Sequence, residues 1–478
     1  SELFIEQAQF AMAANMDIDD DFNLDLSFSG KKPNFDLFLA FAPEELAPLL
    51  NRYENGGDVY FNASVKGPSA NGNSPHIEVD FGCAEAFVEN IEVSKEVNQL
   101  FFQGHFTNGV RNHPSTMMLS ISDFNATPGT GIFKGDIEVK NFESPEIDME
   151  VNSTFDLNFL AQFLGLEDVQ DVSGDVSLKM NFHDIIDLDD PSKAIENLNE
   201  SYYTELEVNN LNFTSRDFHL PIRDVNILAS MDGHKAVVEE FSFKSGNSDL
   251  NLKASISDLP AIIHHTDIPV DVNLDITSSM LDFAELTKVL EDSVGFNEQV
   301  KNLSMGFQFK STAKAITESP NLPLGEFFVK KLNAELTNYP HRLHDFNVDI
   351  MIDTIDFNVL DFTGYIDKTD FHFDGKLGNY DIWFDEKPKG ITTIDFNLTS
   401  DLLQLKNLLA YGGEKNIPKD YHEEEFENLK IHAFTELNFQ EKLASAELRI
   451  DKIEAFMKVH KMHFKRFGGL LCMDRNLI

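Results

Sequence analysis

Hydrophobic and polar residues alternate along most of this chain, which is the pattern of β-strands with one apolar face and one polar face. In the segment VDVNLDI, for example, Val270, Val272, Leu274 and Ile276 fall on one side of the strand. Further strands with the same alternation are VYFNASV, VSLKMNF, LSMGFQF, FNVDIMID and IHAFTELNF. The pattern therefore predicts a mainly β protein.

Four short apolar segments with helical spacing interrupt these strands, near Leu46, Phe159, Phe283 and Leu405. Successive segments lie roughly 110 to 125 residues apart, and a loop and an alternating strand follow each one. This arrangement predicts a long internal repeat that consists of strands and one short helix.

The repeat predicts five parts. They are the end of a preceding repeat at 1–32, three repeats at 33–150, 151–270 and 271–392, and a truncated repeat at 393–478. Because the copies at both ends are incomplete, we expect the chain to be an interior fragment of a longer protein.

One short helix per repeat cannot cover the apolar face of so many strands, yet an antiparallel sheet must bury such a face. The sheet either folds on itself as sandwiches or closed barrels, or curls into an open groove. The absence of Pro/Gly/Ser-rich linkers favours one elongated, curled antiparallel sheet. The helices then either brace the curled sheet or cap a local core.

Composition excludes several classes of partner. The net charge is −43, which disfavours binding to nucleic acid and to anionic membrane surfaces. The chain is 42% hydrophobic, enough to bury a sizeable core. The two cysteines, Cys83 and Cys472, are too far apart in the chain to indicate a disulfide framework.

Three stretches carry a resemblance to a known family: GDVYFNASVKGPSANGNSPHIEVDFGCAEAFV (57–88), the strand VSGDVSLKMNF and GKLGNYDIWF (375–384). The chain resembles the AsmA-like proteins of diderm bacteria, which include TamB-like members. The resemblance implies a periplasmic β-groove that is anchored in the inner membrane by a segment missing from this chain. It also implies that the groove carries or bridges phospholipids between the inner and outer membranes, which it reaches through segments outside this chain.

If the apolar face is a groove, the apolar residues of the alternating strands line it and hold phospholipid acyl chains. The predicted lining residues are Phe61, Val65, Leu178, Met180, Phe182, Met305, Phe307, Phe309, Phe346, Val348, Ile350 and Phe439. Two other functions fit the same pattern. One is an outer-membrane protein assembly factor of the same family, and the other is an adhesive or structural protein of tandem β-sandwiches.

The sequence predicts no catalytic centre, cofactor or metal site. His341 and His344 form an H-x-x-H pair, as do His460 and His463. Residues three apart in a strand face opposite sides, so we expect solvated or loop histidines. The alternating acidic residues of 17–25 lack the glycine and glutamate of a calcium loop. We expect them to lie on the solvent-exposed face of a strand.

Overall fold

A computed structural model describes residues 2–5, 8–17, 22–35, 53–166, 169–185, 203–215, 220–263, 265–287, 297–319, 321–411 and 419–474. The protein is mainly β with few helices, as the alternation predicted. It divides into two compact units, 1–239 and 240–478, and the boundary falls inside one strand.

The first unit holds a series of antiparallel strands. They are β1 (Glu2–Ile5), β2 (Ala8–Asp17), β3 (Asn23–Lys32), β4 (Tyr53–Pro68), β5 (His76–Asn90), β6 (Lys95–Thr107), β7 (Met118–Pro128), β8 (Ile132–Lys140), β9 (Glu146–Asp156), β10 (Val169–Ile185), β11 (Tyr203–Ser215) and β12 (Ile222–Asp232). The strand with the boundary is β13 (Lys235–Ser245).

The second unit continues in the same manner. Its strands are β14 (Ser248–Ile256), β15 (Pro269–Asp282), β16 (Gln299–Thr312), β17 (Gly325–Leu336), β18 (Tyr339–Ile352), β19 (Asp356–Ile366), β20 (Thr369–Gly378), β21 (Lys389–Gln404), β22 (Glu425–Gln440), β23 (Leu443–Met457) and β24 (Met462–Asp474).

In both units each strand pairs antiparallel with its neighbours in sequence, from β1 to β12 and from β14 to β24. Within the described residues the sheet is not closed, which argues against the closed-barrel alternative. The repeat boundaries and the elongated shape stay predictions.

The helices are short. They are α1 (Leu157–Leu164), α2 (Leu259–Ile263), α3 (Phe283–Leu286), α4 (Ala313–Glu318) and α5 (Leu405–Leu409), with 3-10 turns η1 (Pro114–Thr116), η2 (Tyr380–Phe384) and η3 (Lys419–Tyr421). Three of the four predicted helices are therefore present as α1, α3 and α5. The one near Leu46 lies outside the described residues. The sequence analysis predicted one helix per repeat and therefore missed α2 and α4, which have five and six residues.

Paired β-bulges interrupt the strands of the second unit. Lys331 in β17 and Asp345 in β18 adopt positive φ angles of 51° and 56°. The Lys331 N–H donates to Asn347 Oδ1 at 3.1 Å, and the Asp345 N–H donates to Asn333 Oδ1 at 3.3 Å. Each asparagine also donates from Nδ2 to the carbonyl of the bulge residue on its own strand. The two bulges therefore hold each other in place.

The first unit contains the same reciprocal arrangement between β11 and β12. The Asn210 N–H donates to Asn226 Oδ1, and the Asp224 N–H donates to Asn212 Oδ1, both at 3.0 Å. A bulge bends its strand and increases the local twist. Sequences of the form polar–apolar–Asn thus mark positions where these sheets bend.

The core lies at these bends. The residue after a bulge residue points inward and is often among the most buried of its strand. Examples are Ala86, Leu100, Val225, Phe346 and Leu429, all at most 9% exposed. Elsewhere the apolar face is less well covered, as the pattern of β3 shows with strict alternation between exposed and half-buried residues.

Candidate functional site

In the second unit, one row of apolar residues crosses every strand from β14 to β24. The row is Ala254, Leu274, Phe307, Val329, Val348, Phe362, Phe373, Leu398, Ile431, Ile453 and Phe467. None of these residues is buried: the first ten are half-buried, and Phe467 is 52% exposed. A closed core would cover a row of this kind fully. The described residues therefore leave a continuous apolar surface open to water.

The first unit has a comparable row across β3 to β9. Its members are Phe28, Ala63, Val79, Phe106, Leu119, Val139 and Ile147. All seven are half-buried. The incomplete cover of the apolar face is thus a property of both units.

An apolar cleft of about 480 Å³ lies in the second unit between α5 and strands β17 to β21. Its lining residues are Leu336, Tyr339, Leu343, Phe346, Phe362, Ile366, Phe371, Phe373, Leu398, Leu403, Leu408 and Tyr411. Phe362, Phe373 and Leu398 belong to the row, so the cleft and the row form one surface. The volume lies within the range of about 300–1,000 Å³ that is typical of small-ligand pockets.

The side chain of Asn407 fastens α5 over this cleft. It is 1% exposed, and its Nδ2 donates to the Ile366 carbonyl at 3.1 Å, to Thr369 Oγ1 at 3.0 Å and to Gln404 Oε1 at 3.1 Å. The hydroxyl of Tyr339 donates to the carbonyl of Asn407. Burial, followed by the charge of Asp367, raises the pKa of Tyr339 to about 12, so this hydroxyl keeps its proton at neutral pH.

The second hydroxyl in the cleft is also engaged. Tyr411 donates to Glu298 Oε2 at 3.1 Å. Glu298 is 4% exposed and accepts further hydrogen bonds from the backbone N–H groups of Gln299 and Asn338. Burial alone would raise the pKa of Glu298, but these hydrogen bonds hold it below its usual value. The cleft therefore offers a ligand almost no free hydrogen-bonding group.

The start of α5 is held by the first two residues of β20, Thr369 and Asp370. The N–H groups of Asp401 and Leu402 donate to the carboxylate of Asp370 at 2.9 and 2.8 Å, and the Gln404 N–H donates to Thr369 Oγ1 at 3.0 Å. These bonds satisfy backbone groups where the strand ends and the helix begins.

The start of α3 lies 122 residues before that of α5 and uses the same set of bonds. The N–H groups of Ser279 and Met280 donate to Asp249, and the Asp282 N–H donates to Ser248 Oγ at 2.9 Å. Burial raises the pKa of Asp249, yet the hydrogen bonds from the Ser279 hydroxyl and from the N–H groups of Ser279 and Met280 hold it below its usual value overall. The correspondence supports a local repeat between the two helix starts in this unit.

The predicted lining residues lie on five strands. Phe61 and Val65 are in β4; Leu178, Met180 and Phe182 in β10; Met305, Phe307 and Phe309 in β16; Phe346, Val348 and Ile350 in β18; and Phe439 in β22. Ten are half-buried, whereas Phe309 and Phe346 are 5% and 8% exposed. Phe309 stacks on Phe327 with 4.2 Å between ring centroids, so a charge at position 309 would disrupt packing whether or not the face binds a ligand.

Of the predicted set, only Phe346 lines the cleft. Sequence reasoning missed Tyr339, Leu343, Ile366, Phe371 and Tyr411. The alternating pair Phe371 and Phe373 was a signal that could have been used, because it marks an apolar face of β20. Tyr411 gave no such signal, since it follows a helix and reaches the cleft only through the fold.

The histidine prediction was wrong for His341. This residue and His344 lie in β18, and the His341 side chain is only 13% exposed. Its Nδ1 lies 2.7 Å from Asp367 Oδ2, while His344 pairs with Asp345 at 2.8 Å. The bond to Asp345, followed by that to the Asp367 carbonyl, raises the pKa of His344. Over the described residues, no group of three or more His, Cys, Asp or Glu side chains could hold a metal ion.

In the described part of the chain, every helix is too short or too polar to span a bilayer. In comparisons with protein-family models, with curated proteins and with solved structures, nothing matches this chain. Membership of the AsmA-like family therefore stays a prediction.

Proposed function

We propose that this protein binds the acyl chains of phospholipids along the apolar face of its sheet and has no enzymatic role. The observation that carries this proposal is the row of apolar residues across eleven strands, β14 to β24, none of which is buried. A soluble protein rarely exposes so long an apolar surface unless something covers it in use.

The energetics favour a hydrocarbon ligand. Moving an acyl chain into water costs about 0.8 kcal/mol per methylene, or on the order of 12 kcal/mol for a 16-carbon chain. A continuous apolar row removes most of that cost along its length. A polypeptide in the cleft would instead leave its own N–H and C=O groups without partners, which costs several kcal/mol.

The resemblance to AsmA-like proteins extends the proposal to a cellular role. On that basis the protein lies in the periplasm, and an elongated, curled sheet of repeated β-groove units shields phospholipids between the inner and outer membranes. Segments outside this chain would make the attachments to both membranes. The bulges that bend the strands are compatible with such a curled sheet.

The test compares two adjacent positions on β21. Leu398 belongs to the open row, whereas Thr399 faces the other side and is exposed. Phospholipid that copurifies with the wild-type chain is quantified by mass spectrometry, and transfer between vesicles is measured with a fluorescent phospholipid. Leu398→Asp should lose bound lipid and transfer but keep its fold, because the carboxylate can reach water.

Thr399→Asp is the matched control and should behave as the wild type. A wild-type protein without bound lipid or transfer activity would refute the proposal. Unfolding of Leu398→Asp together with absent lipid would favour tandem sandwiches instead.

A further inference from the structure

The turn η2 places aromatic side chains at one margin of the apolar face. Tyr380 anchors the turn with 3% exposure, while Trp383 and Phe384 are 50% and 51% exposed. The Trp383 Nε1–H donates to Thr392 Oγ1 at 3.1 Å, and the indole lies edge-on to Phe439 with 5.7 Å between centroids. Trp383 is the only tryptophan in the chain. The hydrogen bond to Thr392 fixes its polar edge, and about half of the residue's surface stays exposed.

Three exposed lysines flank this turn. Lys387 and Lys389 precede or begin β21, and Lys442 lies in the turn after β22. The Glu441 N–H donates to the Pro388 carbonyl at 2.8 Å, which brings the two turns together. Across the described residues, ion pairs use other lysines and not these three.

Lysine side chains outside ion pairs are unexpected in a chain with 81 acidic and 38 basic residues. Asp385, Glu386 and Glu441 lie in the same turns, so the margin carries both signs of charge. Such a surface complements a head group that itself carries a phosphate and an ammonium group.

The distance from this margin to the cleft suits one acyl chain. Thr392 and Leu398 are six residues apart in β21, which at ~3.3 Å per residue is about 20 Å. One leaflet of a bilayer has a hydrocarbon thickness of about 15 Å, half of the usual ~30 Å. Acyl chains in a fluid leaflet are not fully extended, so a straightened chain lying along the strand direction is longer than this thickness and comes close to the distance from the turn to the cleft.

We propose that η2 and Lys387, Lys389 and Lys442 bind the head group of a zwitterionic phospholipid, whose acyl chain runs along β20 to β22 into the cleft beneath α5. This inference rests on the proposed lipid-binding function and adds an orientation to it. Tryptophan prefers the boundary between apolar and polar surroundings, so Trp383 marks the level of the ester groups. The cleft offers almost no free hydrogen-bonding group and therefore takes the apolar end of the chain.

Trp383 fluorescence tests the orientation without any labelling. The wild-type protein is loaded with phosphatidylcholine that is brominated either near the ester group or near the terminal methyl. We expect stronger quenching by bromine near the ester group. Stronger quenching by bromine near the terminal methyl, with lipid bound in both samples, would overturn the orientation and leave lipid binding intact.

The lysines are tested by the triple variant Lys387→Gln, Lys389→Gln and Lys442→Gln. Its affinity for phosphatidylethanolamine should fall roughly tenfold, because each of the three lysines is expected to contribute as much as one exposed ion pair. Its affinity for diacylglycerol, which has the same chains without a phosphate, should stay the same. The matched control is Lys253→Gln, Lys301→Gln and Lys314→Gln, which removes equal charge from exposed positions outside these turns.

Equal losses in both triple variants would show a general charge effect and overturn the head-group site, as would an equal loss for diacylglycerol. If the wild type bound neither lipid, the proposed function itself would fail.

Discussion

Replacing Asn407 by alanine tests whether a single buried side chain holds α5 over the cleft. The substitution removes the three hydrogen bonds that Asn407 Nδ2 donates. Two of the acceptors, the Ile366 carbonyl and Thr369 Oγ1, belong to residues that are 8% and 0% exposed, so water cannot easily replace the lost donor. The third acceptor, on Gln404, is closer to solvent.

The size of the effect follows from the three lost hydrogen bonds, since Thr369 Oγ1 keeps the bond from the Gln404 N–H. At about 0.5–1.5 kcal/mol for each bond, Asn407→Ala should lower the free energy of unfolding by about 2–4 kcal/mol. In a unit of this size the melting temperature should fall by roughly 5–15 °C. Circular dichroism measures the melting temperature, and hydrogen exchange of peptides covering 403–411 shows whether α5 itself loosens.

The control is Lys406→Ala on the same helix. Its side chain is 33% exposed and forms one exposed ion pair with Glu423 at 3.5 Å, which contributes less than about 1 kcal/mol. If Asn407→Ala melted within about 2 °C of Lys406→Ala, equivalent to under ~1 kcal/mol, the assignment of Asn407 as the anchor of α5 would be wrong.

Three further outcomes follow from burial. At pH 8 iodoacetamide should modify only Cys472 in the folded chain, because Cys83 is fully buried and burial raises its pKa to about 11. Mass spectrometry of the intact protein that shows two adducts before denaturation would contradict this prediction. Phe309→Ala should cost about 3–5 kcal/mol and the half-buried Phe307→Ala clearly less, and urea unfolding curves that coincide would count against the difference in burial. Burial raises the pKa of Tyr339 from 10.0 to about 12, so the unfolded chain releases this proton at a lower pH than the folded chain does. The free energy of unfolding should therefore fall between pH 10 and pH 12. Tyr339→Phe should remove this part of the pH dependence, as measured by urea unfolding.

Much of the secondary structure was determined by the sequence. Strict alternation in segments such as 270–276 predicts a strand because successive side chains in a strand point to opposite faces. The apolar runs at Phe159, Phe283 and Leu405 predict three helices that the structure contains. Both are local signals, which depend only on residues close together in the chain.

Only the tertiary structure shows which strands pair and how far other residues bury the apolar face of the sheet. Alternation shows that β16 has an apolar face, but the same pattern is found in a closed core and in an open groove. Only the fold shows that Phe309 is buried against a neighbouring ring while Phe307, two residues earlier, stays half-buried in the open row. Burial depends on what packs above a residue, and that partner is remote in sequence.

The cleft and the aromatic turn at its margin likewise form only in the folded chain. The alternation at Phe371 and Phe373 could have indicated an apolar face, but α5 closes the cleft through the bonds of Asn407 to residues 38 and 41 positions earlier. Trp383 likewise reaches Phe439 only because the β20–β21 turn folds back over the face. Sequence periodicity gives the direction of each side chain from its strand, whereas the site depends on distances between strands and turns that only the folded chain sets.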